Sequence, residues 1–323
     1  MSPSEKATLP STEVRVRRFR AFSPARIAAL AGNTFTQLLR MKVLYFLALF
    51  VVLVFLLGFV MPAAPSTSAL TSFGGEQDLR LLKAASLGGM SMFTVLLSIA
   101  ATALLLPRDL EDRTLYTILC KPVPRFEYLL GKWIGVLLLL GVSLVVMDAV
   151  TCGLIYAKQS QLLGTEIDFL QHRKWPSQAL LDQSIAEVRN IYAAQGLQWN
   201  FQQAVVGIFC QAAVMAALSL LISTISSSTL FTILVGLSFF VIGQGQELAR
   251  DYLFRDLVPV GQKAVSVVLA LLFPDLRQFN VVDEIVGGQV IPLSVMLKMT
   301  GIAALYAAFY QIVGWFVFSD KEL

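Results

Sequence analysis

The stretch LPRDLEDRTLYTILCKPVPRFEYLLGKW, residues 106–133, carries a dense run of charged side chains between two apolar runs. Within it Leu110, Thr114 and Ile118 recur every four residues, and Asp109 and Arg113 have the spacing of a helical ion pair. The pattern predicts a short amphipathic helix that ends before the prolines of KPVP, because proline interrupts a helix. Burying each large apolar side chain of its face contributes about 1.5–3 kcal/mol. We therefore expect the helix to dock on the headgroup layer, on the rest of the chain or on a soluble partner.

Histidine and cysteine, which many catalytic and metal sites use, are scarce in this chain. The chain has one histidine and three cysteines, Cys120, Cys152 and Cys210, which lie far apart. No spacing matches a metal site or suggests a disulfide framework. The phosphate-binding pattern G-x-x-x-x-G-K-[ST] is absent, since LLGKW lacks the preceding glycine loop. The sequence thus predicts neither a catalytic residue, nor a metal site, nor a directly bound cofactor.

Asp148 is a carboxylate within an otherwise apolar segment, LVVMDAVTCG. An ionisable group inside a membrane is costly, so it is a functional candidate by default. One interpretation places Asp148 on a translocation path or at a dimer interface. The other places it near the outer end of its span, where it reaches water or pairs structurally.

The elements that hold these residues are membrane spans. The chain is 56% hydrophobic and 14% charged, with a mean hydropathy of +0.71. Average soluble domains carry about 25% charged residues, and the apolar residues here come in blocks of spanning length. We predict an all-α polytopic membrane protein with six transmembrane helices, at about 43–61, 85–106, 133–156, 203–222, 230–243 and 295–318.

The charge distribution predicts the orientation. Basic residues concentrate before the first span and are few directly after it. By the positive-inside rule both termini should be cytoplasmic, and the basic tail is not expected to bind nucleic acid. Residues 1–24 should form a disordered basic tail, and 25–323 a single transmembrane domain. Residues 26–41, RIAALAGNTFTQLLRM, predict an amphipathic helix in the interface or, alternatively, a cytoplasmic extension of the first span.

Two longer polar segments separate the later spans. Residues 157–201 include SQALLDQSIAEVRNIYAAQ, which predicts a surface helix starting near Ser177. Residues 244–295 include KAVSVVLALLFP, which is too short to span and suits a short re-entrant helix between spans 5 and 6. Both segments should lie on the external side.

The polar stretch between spans 2 and 3 resembles the intracellular motif of ATP-binding-cassette transporter permeases of the type-2 exporter class. The nearest likeness is to the branch that includes the permease of nitrous-oxide-reductase maturation. NTFTQLLRMKVLYFLALF and FPDLRQFNVVDEIVGG also resemble this family. Asp109 in place of the commoner Glu, Asp112 where a basic residue is usual, and Pro124 in place of a small polar residue depart from the pattern. The matching positions are Asp109, Glu111, Thr114, Lys121, Pro122, Arg125, Gly131 and Lys132.

The resemblance implies a permease domain whose cytoplasmic coupling helix inserts into a cleft of a separate ATPase subunit. That subunit would bind the ATP, and two permeases, identical or similar, would assemble in the lipid bilayer of a bacterial inner membrane. A secondary transporter, a force-transmitting complex without solute transport and an intramembrane hydrolase are the alternatives. The implied ATPase-coupling residues are Asp109, Glu111, Arg113, Thr114, Tyr116, Leu119, Lys121, Pro122, Arg125 and Lys132.

Overall fold

The computed structural model of the chain describes residues 23–40, 44–60, 74–111, 124–226, 228–253 and 273–320. Within these ranges the chain forms helices and short connections, and no strand occurs among them. The all-α class is therefore confirmed. The helices are α1 Pro24–Arg40, α2 Leu44–Val60, α3 Gly74–Glu111, α4 Arg125–His172, α5 Gln178–Gln195, α6 Asn200–Ile225, α7 Thr229–Leu253, α8 Val282–Val286 and α9 Leu293–Asp320, with a 3-10 turn at Arg277–Phe279 before α8.

The long helices are those of a membrane protein. In the described part of the chain, five stretches are long and apolar enough to cross a bilayer, and α2 adds a sixth when it is counted together with α1. The six predicted spans fall on α2, α3, α4, α6, α7 and α9. A polytopic membrane protein is thus confirmed.

Five of the helices, α3, α4, α6, α7 and α9, are longer than the spans predicted on them, and the difference is largest for α3 and α4. α3 begins at Gly74, well before residue 85, and α4 runs unbroken from Arg125 to His172 rather than from 133 to 156. Hydropathy falls where a helix leaves the hydrocarbon layer, but its backbone hydrogen bonds continue until a residue breaks them. α4 ends at His172, four residues before Pro176, which could not have continued the helix.

The core lies between helices that run in opposite directions. α3 and α6 are parallel, because Lys83 bonds to Gly196 just before α6 and Ser91 bonds to Gln211 further along both helices. α6 and α9 are parallel in the same way, through Gln203 with Ile291 and Cys210 with Thr300. α4 runs the opposite way, since Asp148 contacts Gln202 near the start of α6 and Trp133 contacts Ala213 further along it. The largest buried cluster draws on α2, α3, α4, α6 and α9 and includes Phe50, Met90, Met147, Ile208 and Tyr310.

At one end of the molecule, α4 projects beyond its spanning part. We call residues 157–172 of α4 together with α5 the arm. Leu162 of α4 and Tyr192 of α5 are buried against Leu79 at the start of α3. The predicted surface helix is α5, and Ser177 occupies its N-cap position. The segment predicted as a polar connection is therefore half a continuation of α4 and half a separate helix.

Residues 273–292 return into the bundle at this same end. Leu276 and Phe279 are fully buried, and the carbonyl oxygen of Phe279 lies so close to α6 that a Cβ at Gly207 would be 2.7 Å from it. The predicted re-entrant piece KAVSVVLALLFP ends at this segment, and its residues 263–272 lie outside the described ranges. So do residues 1–22 of the predicted tail and residues 112–123 of the predicted coupling helix.

Candidate functional site

The predicted site residues fall into three groups. Arg125 and Lys132 lie together at the start of α4, and Asp148 lies four turns further along the same helix. Asp109 and Glu111 belong to the last turn of α3, which continues past residue 106. The remaining predicted coupling residues, Arg113, Thr114, Tyr116, Leu119, Lys121 and Pro122, are outside the described ranges.

The start of α4 is organised around Glu127, whose side chain is only 1% exposed. α4 begins directly after Pro124, which places Glu127 in its first turn, where the helix dipole favours a carboxylate. Arg26 of α1 contacts both carboxylate oxygens, with Nε 3.0 Å from Oε2 and Nη2 donating to Oε1 at 3.1 Å. The backbone N–H of Ser23 also donates to Oε1, at 2.9 Å. The carboxylate therefore fixes the beginning of α1 to the base of α4.

α1 packs on α4 at very short range. A Cβ added at Gly131 would lie 2.7 Å from Leu30 Cβ, and one at Gly135 would lie 2.6 Å from Thr34 Cβ. Small residues four apart on one helix let a second backbone approach closely, a common packing mode in membranes. The apolar stripe of α1, which the sequence assigned to the membrane interface, thus meets protein along α4.

The side chains of Lys132 and Arg125 both form hydrogen bonds to other helices of this chain. Lys132 is 2% exposed, donates from Nζ to Gln37 Oε1 at 3.3 Å and lies over the Tyr128 ring at 5.7 Å. Arg125 donates from Nη1 to the carbonyl oxygens of Phe318 and Ser319, at 2.8 and 2.6 Å. These carbonyls belong to the last turn of α9, where a cation offsets the negative end of the helix dipole. Arg125 therefore joins α4 to α9.

These contacts make one connected unit at the base of the molecule, which we call the hub. Tyr128 stacks on Phe318 with ring centroids 6.0 Å apart, so aromatic packing supports the polar contacts. Through the hub the first two turns of α4 hold α1 on one side and α9 on the other. Its members are Arg125, Glu127, Tyr128 and Lys132 of α4, Arg26 and Gln37 of α1, and Phe318 of α9.

The sequence reading missed Glu127 and its partner Arg26. Glu127, Gly131 and Gly135 are spaced by four and share one face of α4. An acid followed by two glycines at this spacing is the signal that would have indicated a docked neighbouring helix. In the sequence alone, Arg26 is one of several basic residues that precede the first span.

Asp148 is separate from the hub, about 24 Å from Lys132 along the helix axis. Its Oδ2 accepts a hydrogen bond from Gln202 Nε2 of α6 at 3.0 Å, and its Oδ1 accepts one from Cys152 Sγ at 3.4 Å. This arrangement links α4 to α6 where α6 begins. It fits the interpretation of a structural pair, whereas a role on a translocation path stays a prediction.

The two interpretations of Asp148 predict different mutational results. We expect Asp148→Asn to lower stability by less than about 1 kcal/mol, because the amide oxygen still accepts from Gln202, whereas Asp148→Leu leaves that donor unpaired and costs about 1–3 kcal/mol. The melting temperatures of the purified variants in detergent measure this difference. If Asp148→Asn is as damaging as Asp148→Leu, or abolishes function with the fold intact, the charge itself is required.

Within the described ranges, no group of three or more His, Cys, Asp and Glu side chains is placed to hold a metal ion. The hub instead holds helices together. Its charged and aromatic side chains connect α1, α4 and α9 where α4 begins, directly after residues 112–123. No bond-making chemistry follows from these side chains.

The comparison with known families now adds to this geometry. No curated protein matches the sequence. A family model described as ABC-2 family transporter protein matches residues 28–246, more than half of the chain, from α1 to α7 and including the α4 residues of the hub. Members of this family are membrane subunits of ABC transporters and are not themselves catalytic. The chain therefore belongs to the ABC-2 family of transporter proteins.

Proposed function

We propose that this ABC-2 membrane subunit is driven by a separate ATPase subunit, which binds the segment between α3 and α4. The hub is the observation that carries the proposal. α3 ends at residue 111 and α4 begins at residue 125. The connection between them therefore leads directly into the first turn of α4, which contains Arg125 and Glu127. A displacement of this connection would pass directly into α4 and, through the hub contacts, into α1 and α9.

In this proposal the predicted coupling residues have two roles. Lys132 is buried and Arg125 is bonded to α9, so we assign them to positioning the base of α4 rather than to touching the ATPase. The contact surface would then be the polar segment itself. It comprises Asp109, Glu111, Arg113, Thr114, Tyr116, Leu119, Lys121 and Pro122.

The same proposal fixes the setting of the subunit. We place the hub end in the cytoplasm of a bacterial inner membrane, because the sequence before the first span is rich in basic residues and α1, which precedes that span, is part of the hub. Two copies, or this chain with a similar permease, form the complete exporter, since six spans supply half of a transport path. ATP binds to the partner subunit.

Charge reversal in the polar segment tests the proposal. The tagged chain is purified from its native membrane with the ATPase that accompanies it, and ATP hydrolysis is measured in the eluate. We expect Arg113→Glu to lower the co-eluting hydrolysis at least about tenfold, because reversing a charge in a docked surface costs more than about 1.4 kcal/mol. Arg189→Glu, the same change on an exposed position of α5, is the matched control. Full hydrolysis with Arg113→Glu would contradict the proposal.

A further inference from the structure

Three large side chains are exposed where the arm meets the spanning bundle. Trp199 is 80% exposed and Leu197 is 38% exposed, both in the short connection between α5 and α6. Tyr156 of α4 is 71% exposed. We call these three residues the collar. Leaving such surface in water is unfavourable, at roughly 25 cal/mol per Å² of apolar area. The free energy of the protein therefore depends on whether water, lipid or another protein surrounds the collar.

Two hydrogen bonds fix the level of the collar along α4. Gln202, just after Trp199, donates to Asp148, and Gln159 donates to the carbonyl oxygen of Tyr192 at 2.9 Å. The connection between α5 and α6 is therefore held against α4 between residues 148 and 159. Tyr156 lies within that same interval. The three collar side chains thus share one level of the molecule.

The exposed surface of α4 changes character at this level. Toward the hub, its exposed side chains are apolar, as at Val142, Val145 and Val146, which are 49%, 68% and 39% exposed. Beyond the collar, the exposed positions of α4 include Ser160, Gln161 and Asp168. Phe169 and Leu180 are exposed as well, but they lie near the tip of the arm, far from the collar.

The distance along α4 agrees with the thickness of a bilayer. Lys132 of the hub and Tyr156 of the collar are separated by about 36 Å of helix, against about 30 Å for the hydrocarbon core. Tryptophan and tyrosine favour the boundary between hydrocarbon and headgroups because each ring has an apolar body and a polar atom. The collar therefore lies where one face of the membrane is expected.

We propose that the collar binds the headgroup layer of the leaflet at the arm end, and that the arm stands in water beyond it. The lipid surface is the favoured occupant because the collar continues the lipid-facing apolar surface of α4 without a break. The 16 residues of α4 in the arm rise about 24 Å along the helix axis. This surface is independent of the ATPase, so it goes beyond the proposed function.

Fluorescence quenching in lipid vesicles tests the collar. One variant keeps only Trp199, with Trp133, Trp175 and Trp315 replaced by Phe; the matched variant keeps only Trp175, at the tip of the arm. In phosphatidylcholine vesicles we expect Trp199 to be quenched at least twofold more by a headgroup spin label than by aqueous iodide. Trp175 should show the opposite order. Quenching of Trp199 by iodide to the same extent as Trp175 would overturn the proposal, and so would protection from both quenchers, which would indicate a protein partner.

A second measurement covers the case in which these variants do not fold. Trp199→Cys and Ser160→Cys, each made with the native cysteines replaced by serine and all other tryptophans kept, carry a nitroxide label. The expected ratio of accessibility to oxygen over a water-soluble nickel complex is at least twofold higher at 199 than at 160. Equal ratios would place both positions in the same medium and contradict the proposal.

Discussion

Replacing Glu127 with alanine is expected to release α1 from the base of α4. The change removes the carboxylate that the Arg26 guanidinium contacts and that accepts from the Ser23 N–H. Breaking a fully buried ion pair costs about 3–5 kcal/mol, and the 29% exposure of Arg26 reduces this to about 2–3 kcal/mol. The shift per kcal/mol falls with chain length and is about 2 °C at the upper end of the 150–250-residue range, so the melting temperature should fall by about 4–6 °C.

Two measurements separate this local release from general damage. A cysteine at Ala31, which is 2% exposed, reports on the docked face of α1 and should react with a maleimide much faster in Glu127→Ala. Glu187→Ala, at an exposed position of α5, is the control and should leave both the melting temperature and the labelling rate unchanged. The exchanged pair Arg26→Glu with Glu127→Arg should recover part of the loss, as expected of a direct pairwise coupling. Unchanged protection of position 31 in Glu127→Ala would show that the ion pair does not hold α1.

The second large effect is expected from Gly135→Leu. The first carbon of any side chain at this position would lie 2.6 Å from Thr34 Cβ and 2.8 Å from the carbonyl oxygen of Ala31, so the backbone of α1 has to move. Overpacking costs about 1–3 kcal/mol where side chains alone adjust. The cost at Gly135 should be higher, because a backbone carbonyl cannot rotate away as a side chain can. We expect most of the monodisperse protein to be lost on size-exclusion chromatography, and Gly135→Ala to show a smaller loss.

The control for this prediction lies on the same helix. A Cβ at Gly153 meets no atom within 4 Å, and the position is exposed, so Gly153→Leu lacks the backbone contact that Gly135→Leu makes. Leucine also favours a helix over glycine by roughly 1 kcal/mol. Gly153→Leu should therefore be neutral or stabilising. Equal yields of Gly135→Leu and Gly153→Leu would mean that α1 does not approach α4 as closely as described.

The sequence predicted the fold class because that class depends on apolar runs of spanning length, which are visible in the sequence. It did not predict where α4 ends. Residues 157–172 are polar enough to interrupt a hydropathy pattern, yet they contain no proline, and Gly164 alone does not stop the helix. Hydropathy reports the medium around a helix, whereas helix length depends on backbone hydrogen bonding, and the two diverge once a helix leaves the membrane.

The candidate site was predictable only in part, for a related reason. Arg125 and Lys132 stand out in the sequence as charges next to apolar runs, which suggests contact with a partner. Their bonds to the end of α9 and to Gln37 of α1 are made by residues distant in sequence, and no local pattern specifies them. Glu127 was visible as a residue, but its importance arises from Arg26, about a hundred positions earlier in the chain.

The unbroken course of α4 makes this helix a lever. Its 48 residues form a rod about 70 Å long, with the hub at one tip and the arm at the other. If the hub end pivots by about 5°, a rod of this length sweeps its opposite tip through about 6 Å, because no hinge absorbs the rotation. A small angular change at the hub is thereby magnified into a displacement at the tip of the arm.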